Sequence, residues 1–236
     1  MRFSRIRTLG LVVLAFAATA LITSCSNSTS PQNKGQVETP QKVDLTQKVP
    51  QNLQNNSPQA YQYVASVQAE VSMGEDIYPQ IQGGVSDHGG SFSSTYQGLT
   101  VTYSATPQTQ DGVAGTAWSV TYDGTFTVDD TTTITFNNDK VFSGWTSNDG
   151  NSGNFDYNFG VFSQVYGESS GSVNIYHVEW NTDSSGTITV QTTLNYDQYS
   201  SEATLIINDD GSGSYTATSN GDQTNLSWDA DGNVTS

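Results

Sequence analysis

The chain has 236 residues, 34% hydrophobic and 13% charged, with seven Lys and Arg against 23 Asp and Glu and a formal net charge of −16. Such a charge repels nucleic-acid phosphate, whose recognition rests mainly on Lys and Arg, so a nucleic-acid partner is excluded. One cysteine excludes an intrachain disulfide.

At the N-terminus, Arg2, Arg5 and Arg7 precede an apolar run from Leu9 to Ile22 that ends in small residues and Cys25. This is the layout of an export signal. About 14 apolar residues fall short of the roughly 20 that span a bilayer, so residues 1–24 read as a removed leader. Ile22-Thr23-Ser24-Cys25 resembles the lipobox of bacterial lipoproteins. The resemblance implies cleavage before Cys25, diacylation of its sulfur and acylation of the new N-terminus, the two or three chains that stable membrane attachment needs. With Ser26 after that cysteine, it implies delivery to the outer membrane in a host that has one. It covers the signal only.

Residues 25–56 are rich in Ser, Asn, Gln, Thr, Pro and Lys and show no apolar period, which predicts a disordered tether reaching roughly 30 Å. Lys34, Lys42 and Lys48 outnumber Glu38 and Asp44 there, a small positive surplus nearest the membrane. From Pro50 onward Lys140 stands alone against 21 acids. So much self-repulsion points to a salty medium, with a cationic partner or carboxylate clusters for Ca²⁺ as competing readings.

Residues 57–236 form the folded part. Ser57-Pro58 is a helix-start signal, and Ala60, Tyr61, Val64, Val67 and Val71 recur at helical spacing up to Gly74. The pattern then switches to period two: Leu99, Val101, Tyr103; Trp118, Val120, Tyr122; Phe155, Tyr157, Phe159, Val161; Ile188, Val190, Thr192, Leu194; Leu205, Ile207; Leu226, Trp228. Alternation with Ser, Thr, Asn and Asp between means strands with one dry and one wet face. Asp111-Gly112, Asp123-Gly124, Asp149-Gly150, Asp210-Gly211 and Asn220-Gly221 read as type I′ hairpin turns, which join antiparallel neighbours. The expectation is an all-β antiparallel meander of about nine or ten strands, closed into a barrel or strongly curved, with one amphipathic helix docked on it. A two-sheet sandwich is the alternative. An outer-membrane barrel is disfavoured, because polar residues occupy the positions of a lipid-facing band.

Trp145, Trp180 and Trp228 each precede an acidic turn and are expected at one end of the sheet. They read either as core packing at a rim or as an aromatic platform for a carbohydrate or small apolar ligand. Gly167-Glu168-Ser169-Ser170-Gly171 matches the nucleophile elbow, yet strand pattern on both sides denies it the strand-to-helix turn it needs. His177 and Glu179 share a strand face and would need a third ligand, such as His88, to hold a metal. Glycoside hydrolysis needs two carboxylates in a cleft, and Glu179 stands out only by interrupting an aromatic strand. Asp229-Ala230-Asp231-Gly232-Asn233 resembles the opening of a Ca²⁺ loop, with Asp229 and Asp231 as ligands, and Asp209-Asp210 and Asp129-Asp130 are further clusters. Hairpin geometry explains these acids without an ion. No residue is assigned a catalytic role. The sequence therefore reads as a lipid-anchored envelope or surface β-module without catalytic function, weak Ca²⁺ binding aside. A binder of a small apolar ligand or carbohydrate is the first alternative, and a carbohydrate-active hydrolase the second.

Overall fold

A computed structural model describes residues 37, 40–85, 89–129, 132–162, 175–196 and 199–235. Ten strands form one antiparallel sheet in the order β1 to β10, each paired with its neighbour in sequence. They are β1 (Gly90–Tyr96), β2 (Leu99–Gln110), β3 (Val113–Asp129), β4 (Thr132–Ser147), β5 (Ser152–Asn158), β6 (Ile175–Thr182), β7 (Ile188–Tyr196), β8 (Tyr199–Ile207), β9 (Gly213–Ser219) and β10 (Asp222–Trp228). β1 does not pair with β10, so the sheet is strongly curved and open rather than a closed barrel, and among the described residues there is no second sheet to make a sandwich.

The register sorts the residues as the alternation implies. One inner row runs Tyr103, Val120, Phe142, Tyr157, Tyr176 across β2 to β6, and another runs Trp180, Val190, Leu205, Tyr215, Leu226 across β6 to β10. Three helices cover this face: α1 (Leu53–Asn56), α2 (Pro58–Glu75) and α3 (Tyr78–Gln82). α2 presents Ala60, Val64, Val67 and Val71 to the core, all buried. It starts near β9, where Tyr63 stacks on Tyr215, and ends over β5, where Tyr157 donates its hydroxyl to the Met73 carbonyl. Gly74 lies so close to Phe155 that any side chain there would overlap the ring, which sets the depth of helix docking. α3, which the apolar spacing does not announce, continues the path: Tyr78 stacks on Trp118 at 5.0 Å, and Ile77 and Ile81 are buried. The helices thus cross the inner face from the β10 side to the β1 side.

Ser57 does not cap α2; its Oγ donates to the Gly232 carbonyl at 3.0 Å, tying the helix start to the turn after β10. The disordered tether expected over residues 25–56 is corrected for residues 40–56, which are packed; residues 25–36 lie outside the described residues. Val37, Leu45, Val49 and Leu53 are buried in the same core, and Leu45–Gln47 form a short 3-10 turn capped by Asp44. This strap lies along α2, where Gln68 accepts from Leu45 N–H at 2.6 Å and donates to the Val43 carbonyl at 2.9 Å. It also crosses the turn-bearing end of the sheet, with Lys48 and Pro50 over Gly211 and Leu53 over Gly232. Its apolar residues drop into separate gaps, so they need no regular spacing.

The hairpins divide into two kinds. Asp111-Gly112, Asn220-Gly221 and the unforeseen Gln97-Gly98 have positive φ at both residues, as type I′ requires. At Asp149-Gly150 and Asp210-Gly211 only the glycine does, the mark of a longer loop closed by a left-handed glycine. Asp123-Gly124 is no turn. It lies inside the 17-residue β3 at a register shift against β4, where Gly124 passes close to the Gly98 carbonyl.

Candidate functional site

The outer face carries the sheet's exposed chemistry. Residues directly opposite one another form a polar row through Ser104, Ser119, Ser143, Asp156, His177, Thr193 and Glu202 on β2 to β8. In its middle His177 Nδ1 meets Asp156 Oδ1 at 2.7 Å, because cross-strand neighbours on one face stand close. Its Nε2 lies 3.7 Å from Glu179 Oε2, two positions along the same strand. The hydrogen bond to Asp156, with help from the Glu179 charge and against partial burial, raises the His177 pKa above its ordinary value. Asp156 and Glu179 thus flank the imidazole, one at each ring nitrogen, in a cluster of three polar side chains on the outer face. Among the described residues no three His, Cys, Asp or Glu side chains are placed to hold a metal ion.

The three tryptophans do sit at one end of the sheet, but they form no exposed platform. All three are buried. Trp180 and Trp228 face inward, each over a glycine directly opposite on the next strand, Gly153 and Gly213. Their indoles donate to the Gly150 carbonyl at 3.1 Å and the Gly211 carbonyl at 2.9 Å. Trp145 lies on the other face, in register with Asn154 and Glu179; its ring lies over Gly115 and its N–H reaches the Gln108 carbonyl at 3.0 Å. Each indole therefore spends its polar edge on backbone.

The acidic turns are similarly occupied. Asp229 Oδ1 accepts from the N–H groups of Asp231 and Asn233 at 3.0 and 2.9 Å, and Asn233 Nδ2 reaches both its oxygens. Asp183 and Asp210 hold Ser185 and Ser212 in the same way. These hydrogen bonds to the ionised form hold all three carboxyls below the usual range. Asp231 is exposed. The acids at Asp229 and Asp210 are thus turn locks, while Cys25, His88, Asp130 and the Gly167–Gly171 motif lie outside the described residues.

One group escaped the sequence reading. Glu75, on the last turn of α2, is only 3% exposed. Its Oε1 accepts the Val43 N–H at 2.8 Å, its Oε2 is buried without a hydrogen-bond partner, and burial pushes its pKa up to about 7. Tyr78, one turn on, has a buried hydroxyl that is likewise without a partner, and its pKa is driven well above the ordinary value. The signal was present: Glu75 continues the stripe of Ala60, Val64, Val67 and Val71. Among the described residues it is the one buried carboxylate, whereas Glu179, the acid singled out from sequence, is exposed on the wet face.

Compared with known protein families, curated proteins and solved structures, the chain matches none.

Proposed function

We propose that this chain is a lipid-anchored envelope module, exported, attached through Cys25, and non-catalytic, which displays a wet acidic sheet face to a salty medium. The observation that carries the display role is the use of the two faces. The inner face is covered by α1, α2, α3 and the strap, whose apolar side chains join those of the strands in one core. The outer face carries Ser, Thr, Asn, His and carboxylate side chains that pair with one another, as Ser93 does with Thr102, Thr95 with Thr100 and His177 with Asp156. Support for the anchor comes from the Ile22-Thr23-Ser24-Cys25 motif and the basic, apolar leader before it. Val37 is the first described residue and is buried in the core, so 11 residues, 26–36, separate it from Cys25 in the sequence.

Cys25→Ser tests this reading. Expressed in a bacterium that processes lipoproteins, the natural chain is expected in the membrane pellet after an alkaline wash and to take up labelled palmitate. The variant should do neither. A variant that stays in the washed pellet overturns the anchor.

A further inference from the structure

We propose that two copies of this chain pair edge to edge through β1, antiparallel, about a two-fold axis at Ser93. An open sheet has two edges, and the fold treats them differently. Along β10 the chain turns back: Thr235 N–H donates to the Ser227 carbonyl at 2.9 Å, and Val234 bridges to Trp228. β1 has β2 on one side and no other strand beside it among the described residues. Proteins usually blunt such an edge with lysine, proline or a bulge. β1 has none of these: Gly90–Tyr96 is uncharged and pairs with β2 in an unbroken register of seven residues. In a chain of net charge −16, this neutral strip is where a like-charged copy meets least repulsion, and salt screens the remainder.

The residue order points to a second copy of this same strand as the occupant. Pairing about Ser93 sets Tyr96 opposite Gly90, Thr95 opposite Ser91, and Ser94 opposite Phe92. Tyr96 is a large ring left 55% exposed, and a side chain built on Gly90 would meet nothing within 4 Å. A ring facing a glycine across two strands is how this sheet packs internally, at Trp180 with Gly153 and at Trp228 with Gly213. The symmetric pair makes that contact twice. Ser91 and Thr95 meet on the outer face, where Ser93 with Thr102 and Thr95 with Thr100 already form hydroxyl pairs at 2.8 and 3.0 Å. Seven paired residues bury less than the ~1,200 Å² of a stable complex, so the dimer is weak in dilute solution. Two copies on one membrane supply the missing concentration, a step that rests on the anchor proposed above.

The test is independent of that anchor. In full-length chain with Cys25→Ser, at about 1 M NaCl where charge is screened, Ser93→Cys is exposed to mild oxidant. Directly opposed residues of an antiparallel pair have Cα atoms about 4.5 to 5.5 Å apart, within disulfide reach. Ser93→Cys is therefore expected to form a covalent dimer, as is a mixture of Ser91→Cys with Thr95→Cys. Ser91→Cys alone should not, its two copies being about 14 Å apart along the strands. Ser93→Lys, at an exposed outward position, should leave the thermal melt unchanged and weaken the dimer in sedimentation equilibrium about tenfold or more. Failure of Ser93→Cys to crosslink overturns the proposal, as does Ser91→Cys crosslinking equally well, which would mean random collision.

Discussion

Gly150 meets Gln41 backbone to backbone: a Cβ on this glycine would stand 2.2 Å from the Gln41 carbonyl oxygen. The glycine also has φ +73°, the left-handed region that side chains resist. Gly112 offers the contrast, with φ +83° and nothing within 4 Å. Gly112→Ala is expected to cost only the conformational penalty, about 1 to 2 kcal/mol. Gly150→Ala must in addition push the strap off the turn, and about 2 to 4 kcal/mol is expected. Urea unfolding of both variants measures the difference, and equal losses would mean that the strap does not rest on this hairpin.

Trp180 makes its hydrogen bond to the carbonyl of that same Gly150. Trp180→Phe keeps most of the buried ring but leaves the carbonyl unpaired, with an expected loss of about 1 to 3 kcal/mol. Trp180→Ala also opens a cavity and should lose about 3 to 5 kcal/mol. A thermal melt unmoved by Trp180→Ala would place the indole on an exposed surface and revive the platform reading.

Glu75 makes stability depend on pH. Its carboxyl is raised from 4.5 to about 7 by burial, opposed by the Val43 hydrogen bond and Lys42 and reinforced by Asp76 and Asp44. An acid whose pKa is higher folded than unfolded binds its proton more tightly when folded. Its contribution is complete below pH 4.5 and is lost as pH rises through about 7; the change amounts to about 3 kcal/mol. Glu75→Gln, which keeps an acceptor for Val43 N–H, should flatten the curve over this window and be the more stable protein at pH 8. A natural protein equally stable across the window would show that Glu75 is not buried as described.

His177 adds a smaller effect of the same sign, complete below its ordinary 6.5 and lost above that as its raised pKa is passed. Half-exposed and screened by salt, the pair with Asp156 is expected to contribute under about 1 kcal/mol. Asp156→Asn should bring the His177 titration, followed by NMR of the ring protons, down toward the ordinary value. An unchanged titration would remove Asp156 as the cause.

The strands were legible because inward apolar and outward polar residues alternate through residues 99–105 of β2, 153–157 of β5 and 176–181 of β6, a pattern that burial on one face enforces. Trp145 shows where hydrophobicity misleads. The inner row of β4 passes through Phe142, Gly144 and Thr146, so an apolar residue one step out of phase faces the other way. Asp123-Gly124 failed as a hairpin because the pair advertises only a positive φ, which a bulge uses as readily as a turn. The strap was invisible because Val37, Leu45, Val49 and Leu53 fill unrelated gaps. Of the candidate site, the pairing of His177 with Glu179 followed from strand period two. Asp156, which holds the imidazole, depends on the register between β5 and β6, which spacing along one segment does not encode.

The functional reading rests on an acidic surface that works by staying wet, with its turn carboxylates locked to backbone rather than kept for an ion. A thermal melt across NaCl concentrations, repeated with Ca²⁺ at matched ionic strength, tests this most directly. The melting temperature is expected to climb steadily toward molar NaCl as the −16 charge is screened. About 1 mM Ca²⁺, enough to load an extracellular-type site, should add nothing beyond its ionic strength. A saturating rise of several degrees at that Ca²⁺ concentration, with little response to NaCl, would contradict the account.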